Sequence, residues 1–98
     1  MNMLLIVFHQ SIVEHIHALM KEYEVSAFTE LHNVAGRGET GPTVQFFLSP
    51  GSNSMILTAV SEQLAYRLID GFTRFNAAPG IGRLDNVHQF VLPCEQAV

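Results

Sequence analysis

Two stretches of the chain are mainly apolar, without regular polar alternation, and too short to form helices of their own. They are residues 3–8 (MLLIVF) and residues 54–60 (SMILTAV). A short apolar run without polar alternation is typical of a strand that is buried on both faces of its sheet. We therefore predict two central strands at these positions.

Two longer stretches repeat their apolar residues at helical spacing. Residues 11–23 (SIVEHIHALMKEY) carry one apolar stripe, made of Ile12, Val13, Ile16, Leu19, Met20 and Tyr23. Residues 62–75 (EQLAYRLIDGFTRF) carry another, made of Leu64, Ala65, Leu68, Phe72 and Phe75. Each stretch is predicted to be an amphipathic helix that packs its stripe on a sheet.

A serine precedes or opens each predicted helix. Ser11 with Glu14 matches a capping box, in which the hydroxyl accepts from the N3 amide and the carboxylate accepts from the Ser11 amide. We expect the first helix to begin at Ser11 and Ser61 to cap the second. Gly71 lies inside the second helix and slightly weakens that prediction.

Two further strands complete the pattern. Residues 25–34 (VSAFTELHNV) mix β-branched and aromatic residues with charge, and residues 88–93 (HQFVLP) end at a proline, so both suit the edge of a sheet. The order βαββαβ predicts a ferredoxin-like α+β fold, a four-stranded antiparallel sheet with two helices on one face. Residues 1–98 would form a single domain with the first and third strands in the middle.

The composition indicates that another chain covers part of the surface. The 98 residues are 48% hydrophobic and 14% charged, whereas soluble domains are usually about 25% charged. Both helices are predicted on one face of the sheet, so the apolar residues of the other face need separate cover. Self-association through that face would supply it.

Charge and cysteine content exclude several classes of function. The net charge is −4 with five lysines and arginines and no basic run, which argues against nucleic acid as a ligand. Cys94 is the only cysteine and has no internal disulfide partner. The chain starts with neither a basic leader nor a long apolar span, so we expect a cytoplasmic protein without membrane insertion.

The longest irregular stretch lies mid-chain, at residues 36–53 (GRGETGPTVQFFLSPGSN), and carries four glycines and two prolines. Three motifs in and around it resemble the P-II signal-transduction proteins and their small P-II-like relatives. VAGRGETG resembles the entry to the central T-loop of that family, and ETGP followed by PGSN resembles its return in a P-II-like subgroup. FVLPCEQAV, near the end of the chain, resembles the family's closing strand.

The resemblance implies a compact homotrimer whose sheets face inward. It also implies small-molecule sites in the clefts between subunits, and a T-loop-like segment, residues 36–53, that presents a surface to a partner protein. The ligand-binding residues implied for this chain lie in two glycine-rich loops. They are Gly36, Arg37, Gly38, Glu39, Gly80, Gly82 and Arg83.

Three departures from the family pattern change the expected ligand. Glu39 and Thr40 stand where the family has Arg and Gln at the nucleotide phosphates, and Arg83 stands alone where it has two lysines. We therefore expect ATP binding to be lost or reduced to millimolar strength. A smaller anion or a less charged molecule, held by loop amides, would fit better. The only tyrosines, Tyr23 and Tyr66, lie outside the loop, which excludes tyrosine uridylylation there.

The remaining reactive side chains predict neither a catalytic nor a metal site. His15 and His17 point away from each other on a helix, and His32 and His88 lie on opposite edge strands, so the histidines are interpreted as solvated or core-edge residues. The carboxylates of Glu30, Glu39 and Glu95 are likewise interpreted as surface groups. Cys94 is interpreted as a small packed residue.

The favoured hypothesis is a non-enzymatic regulator that binds a small effector between subunits. Two alternatives stay open. One is a divalent-metal-binding protein like the CutA proteins, which share the fold and the trimer. The other is a small ferredoxin-like enzyme with a histidine or glutamate in the cleft between sheet and helices. The sequence leaves the effector, and any cofactor, unidentified.

Overall fold

Four strands and two helices follow one another in the predicted order. The structure is a computed structural model that describes residues 1–34, 53–79 and 86–95. One turn of 3-10 helix, Gln10–Ile12, precedes the first α-helix. The elements are β1 (Asn2–His9), α1 (Val13–Glu22), β2 (Thr29–Val34), β3 (Asn53–Val60), α2 (Glu62–Ala77) and β4 (His88–Pro93).

The sheet has the strand order β2-β3-β1-β4, and every neighbouring pair is antiparallel. The two mainly apolar strands, β1 and β3, therefore lie in the middle, as predicted. The ferredoxin-like α+β fold is confirmed.

The core lies between one face of the sheet and the two helices. Leu4, Ile6 and Phe8 alternate along β1 and are fully buried, as is Ile56 of β3. They pack against the buried stripe of each helix, which includes Ile16, Met20, Leu68 and Phe72. Both predicted stripes face this core. Among the described residues, no helix is long and apolar enough to cross a membrane.

The predicted capping box at Ser11 is wrong. His9 caps the 3-10 turn, because its Nδ1 accepts from the Ser11 backbone N–H at 3.2 Å and also lies 2.8 Å from the Ser11 hydroxyl. The α-helix begins later, at Val13, and its N-cap Ile12 makes no side-chain cap. Ser61 does cap α2, since its hydroxyl accepts from the Leu64 N–H at 3.2 Å.

The second strand is shorter than predicted because the C-terminal cap of α1 includes the first residue of the predicted segment. Glu24 adopts a left-handed φ of 62°, and the amides of Glu24 and Val25 donate to the carbonyls of Lys21 and Met20. This pair of bonds is a Schellman motif, which buries an apolar residue just beyond the helix. Val25 takes that buried place, and β2 starts only at Thr29.

Gly71 has a packing role in α2. A Cβ at this position would lie 2.7 Å from Cε2 and 2.8 Å from the hydroxyl of Tyr23. The Tyr23 hydroxyl accepts from Arg74 at 2.8 Å, and the Arg67 guanidinium lies 5.3 Å from the ring centroid. The glycine therefore lets the tyrosine ring at the end of α1 rest on the surface of α2.

Candidate functional site

The two predicted ligand loops lead into strands that begin at the same end of the sheet: the first joins β2 to β3, and the second joins α2 to β4. Asn53, the first residue of β3, pairs with Val34 at the end of β2 and with His9 at the end of β1. His88, the first residue of β4, pairs with Val7 beside them. The seven predicted ligand-binding residues, Gly36, Arg37, Gly38, Glu39, Gly80, Gly82 and Arg83, lie outside the described residues, so their roles stay predictions.

A polar cluster on the helix side of β2 joins α1 to the sheet. Glu30 is only 13% exposed, and its two carboxylate oxygens contact different imidazoles. Its Oε1 lies 2.5 Å from Nε2 of His17 on α1, and its Oε2 lies 3.0 Å from Nε2 of His32 on β2. The interpretation of Glu30 as an ordinary surface carboxylate is therefore wrong. The contact depends on the docking of α1 against β2, which the spacing of these residues in sequence does not reveal.

The cluster continues through Ser54 into a line of hydrogen-bonding groups. Nδ1 of His32 lies 3.3 Å from the Ser54 hydroxyl, which in turn donates to Oε1 of Gln10. Serine, histidine and glutamate thus stand in the order of a hydrolytic triad. Ser54, however, is 0% exposed and cannot meet a substrate. The arrangement is a structural network and does not form a nucleophilic site.

The other histidines are placed separately. His15 lies against Phe75, with ring centroids 5.9 Å apart, and so faces away from His17 as predicted. His32 and His88 lie on the two edge strands, also as predicted. Within residues 1–34, 53–79 and 86–95, no group of three or more His, Cys, Asp or Glu side chains has an arrangement that could hold a metal ion.

The sheet face opposite the helices is mainly apolar, with Thr29 and His88 at its two edges. Cross-strand pairing places Leu5 beside Leu57 and Phe90, and Met3 beside Ala59 and Leu92. Phe90 and Leu92 are 55% and 52% exposed, and Leu31 on β2 is also exposed. We call this surface the open face, made of Met3, Leu5, Val7, Thr29, Leu31, Met55, Leu57, Ala59, His88, Phe90 and Leu92. We predicted that β1 and β3 are buried on both faces. Within a single chain this holds only for the face toward the helices, because the odd-numbered residues of β1 on the other face are half-buried.

His88 is the titratable residue that β4 places on the open face, where it pairs with Val7. Burial lowers the pKa of His88 below its usual value of 6.5, because an apolar surrounding disfavours the charged imidazolium. The neutral form is thus the one that suits this surface.

An open groove lies where the open face meets the segment before β2, at the far end of the sheet from the predicted ligand loops. It has a volume of about 630 Å³ and is lined by Met3, Leu57–Ala59 and residues 26–29. A second groove of about 450 Å³ adjoins it through Met3 and Ala59 and reaches Cys94 and Glu95. Sequence reasoning missed both grooves, because no motif marks them and they arise from strand pairing alone.

Solved structures place this fold among the nitrogen regulatory PII-like proteins. CPII of Thiomonas intermedia bound to ADP and bicarbonate is 26% identical, with a TM-score of 0.69 over 93% of this chain and 82% of that chain. CPII bound to ADP, AMP and bicarbonate is 25% identical, with a TM-score of 0.68 over 93% and 86%. A PII-like signaling protein of Thermus thermophilus shares the fold at 19% identity, with a TM-score of 0.62 over 93% and 83%. No family model and no curated protein matches the chain.

The chain is therefore PII-like in fold over nearly its whole length. The resemblance carried by its loop and C-terminal motifs is confirmed.

Proposed function

We propose that this protein is a non-enzymatic PII-like regulator. In this proposal three copies associate through their sheets, a small effector binds in the clefts between them, and residues 36–53 contact a partner protein. The observation that carries the proposal is the open face, a continuous apolar surface on the side of the sheet that the helices leave uncovered.

The apolar composition of the open face favours burial against copies of the same chain. Burying apolar surface contributes about 25 cal/mol per Å², and large exposed apolar patches mark interaction sites. The residues at its centre, Leu5, Leu57 and Phe90, are apolar and uncharged, whereas a surface that stays in contact with water is usually rich in charged side chains. A closed assembly of identical chains covers such a face on every subunit.

An adenosine monophosphate or diphosphate, alone or with a small anion, is the effector class that we propose. The support is the fold shared with CPII, which is bound to ADP, AMP and bicarbonate. This chain offers only Arg37 and Arg83 in the predicted loops, with Glu39 nearby. A site with only two arginines suits a ligand with fewer phosphates than ATP. Each charge-assisted contact contributes about 1.5 to 3 kcal/mol to binding.

Isothermal titration with AMP, ADP and ATP, each with and without bicarbonate, tests this proposal. We expect AMP or ADP to bind more tightly than ATP, and ATP to bind at millimolar strength or not at all. Micromolar ATP binding would contradict the assigned role of Glu39. Glu39→Arg should strengthen ATP binding by removing a repulsive charge. An unchanged affinity would show that Glu39 does not line the cleft. Absence of binding by every nucleotide would overturn the effector class.

A further inference from the structure

Three sulfur-bearing side chains line one groove at the end of the sheet opposite the predicted ligand loops. This groove, of about 450 Å³, is lined by Met1, Met3, Ala59, Cys94 and Glu95. We call Met1, Met3 and Cys94 the sulfur cluster. It contains two of the four methionines and the only cysteine of the chain. The side chains that can bind a soft metal ion through sulfur are thus concentrated at this groove.

Strand pairing holds the three residues of the sulfur cluster side by side. The Cys94 backbone N–H donates to the Met1 carbonyl at 3.1 Å, next to the last pair of the β1–β4 ladder, so Met1 lies opposite Cys94. Met3 pairs with Leu92, two residues before Cys94, and the period of a strand places all three on one face. Opposed residues of an antiparallel pair have Cβ atoms about 4.5 to 5.5 Å apart, and diagonal neighbours are within reach of long side chains. The flexible methionine side chains can therefore bring both thioethers to the thiol.

We propose that the sulfur cluster binds the soft monovalent cation Cu(I). Thiolate and thioether sulfurs are the ligands that suit Cu(I), whereas zinc is bound by thiolate, imidazole and carboxylate. The Cys94 thiol releases its proton to solvent as its sulfur binds the metal, and the two methionines bind as neutral ligands. The thiolate cancels the single charge of Cu(I). The complex is then neutral beside the apolar open face, where an uncompensated charge would be costly.

The groove is accessible from solvent and offers few ligands other than sulfur. Met1 is 56% exposed, and Ala59 contributes only a methyl group to the lining. Glu95 supplies a carboxylate that attracts cations to the groove. No histidine is among the described residues that line it, so it lacks the imidazoles that suit zinc and Cu(II). Because the effector loops lie at the other end of the sheet, Cu(I) binding does not depend on an effector.

Competition with a chromophoric Cu(I) chelator under anaerobic conditions measures the affinity of the full chain for Cu(I). We expect an equimolar complex. Cys94→Ser should weaken binding more than about 100-fold and Met3→Leu at least about 10-fold, since even groups that only support a metal ligand contribute about 10- to 100-fold to affinity. Leucine conserves the volume of methionine, so the sheet should stay intact. Met55→Leu, which removes a methionine of the open face outside the groove, should leave the affinity unchanged.

Carbon-13 spectra of the methionine methyl groups locate the ion, with Ag(I) as a redox-inert probe of the same charge and softness. We expect the signals of Met1 and Met3 to shift and those of Met20 and Met55 to stay in place, with Met3→Leu and Met55→Leu providing the assignments. Equal shifts of all four signals would overturn the proposal. So would a parent chain that leaves Cu(I) on the chelator, an affinity unchanged in Cys94→Ser and Met3→Leu, or Zn(II) binding as tight as that of Cu(I).

Discussion

At the scale of single residues, some roles depend on contacts between elements that lie far apart in sequence. Gly71 weakened the prediction of a helix, yet it provides the space in which Tyr23 rests on α2. Two arginines hold the ring in place, Arg74 through the hydroxyl and Arg67 through the ring face. A propensity scale counts only the cost of glycine in a helix.

Replacing Gly71 by alanine should destabilise the protein despite the better helix propensity of alanine. The added methyl group would lie 2.7 Å from the ring, and overpacking of this kind costs about 1 to 3 kcal/mol, against about 1 kcal/mol gained from propensity. Urea unfolding should show a net loss of about 1 kcal/mol. In a Tyr23→Ala background the same change should instead stabilise the protein. A gain in both backgrounds would refute the packing role, and Gln63→Ala, an exposed change in the same helix, should be nearly neutral.

Ser11 and Glu30 show which residue roles the sequence conceals. Ser11 and Glu14 match a capping box, but His9, the last residue of β1 and two residues before Ser11, caps the 3-10 turn that precedes α1. Glu30 is an ordinary glutamate in sequence, and only the docking of α1 places His17 on it. Local signals compete with tertiary contacts, and the tertiary contacts decide the outcome at both positions.

At the scale of elements, apolar periodicity was the reliable signal. Continuous apolar runs identified the central strands, and the stripes of α1 and α2 face the core as predicted. The predicted start of β2 at Val25 is wrong. The Schellman motif at Glu24 includes Val25 in the C-terminal cap of α1. Motifs of this kind normally use glycine, so a glutamate in the left-handed conformation gives no sequence signal.

The cap of α2 allows a direct test at this scale. Ser61→Ala removes the acceptor for the Leu64 N–H and should cost about 1 kcal/mol of unfolding free energy. Ser61→Asp keeps an acceptor at the same place and should restore most of the loss. Thermal or urea unfolding measures both, and an Ala variant as stable as the parent would show that the cap contributes nothing.

The strand β4 should make stability depend on pH. Because burial lowers the pKa of His88 below 6.5, the unfolded chain binds this proton more readily than the folded chain. The contribution of neutral His88 is therefore complete above about pH 6.5 and is lost as the pH falls through the folded-state pKa. Urea unfolding of the parent and of His88→Gln from pH 8 to 5 should show a steeper acid loss in the parent. Parallel curves would contradict this sign.

At the scale of the whole molecule, the sequence predicted the fold and the likeness to PII-like proteins from the order of short motifs on a βαββαβ frame. It also predicted that a face of the sheet needs cover, and the open face is the structural counterpart of that prediction. The ligand residues of the candidate site, such as Arg37 and Arg83, rest on the motifs alone, since they lie outside the described residues. The chemistry of a site between subunits depends on a neighbouring chain, which no local pattern specifies.

A charge on the open face should break the assembly. Leu57 pairs with Leu5 at the centre of that face, and Leu57→Asp would bury an unpaired carboxylate in the proposed interface at a cost of several kcal/mol. We expect a dissociated or unfolded variant. Tyr66→Asp, an equal change of charge on the exposed side of α2, should leave mass and melting temperature unchanged. A soluble Leu57→Asp variant with the parent's mass and melting temperature would contradict the proposed interface.

Sedimentation equilibrium of the parent protein at micromolar concentration measures the self-association on which both the effector clefts and the covered sheet face depend. We expect a single species with three times the chain mass of 10.9 kDa. A stable monomer of 10.9 kDa would leave the open face exposed and the clefts unformed, and would contradict the proposed function.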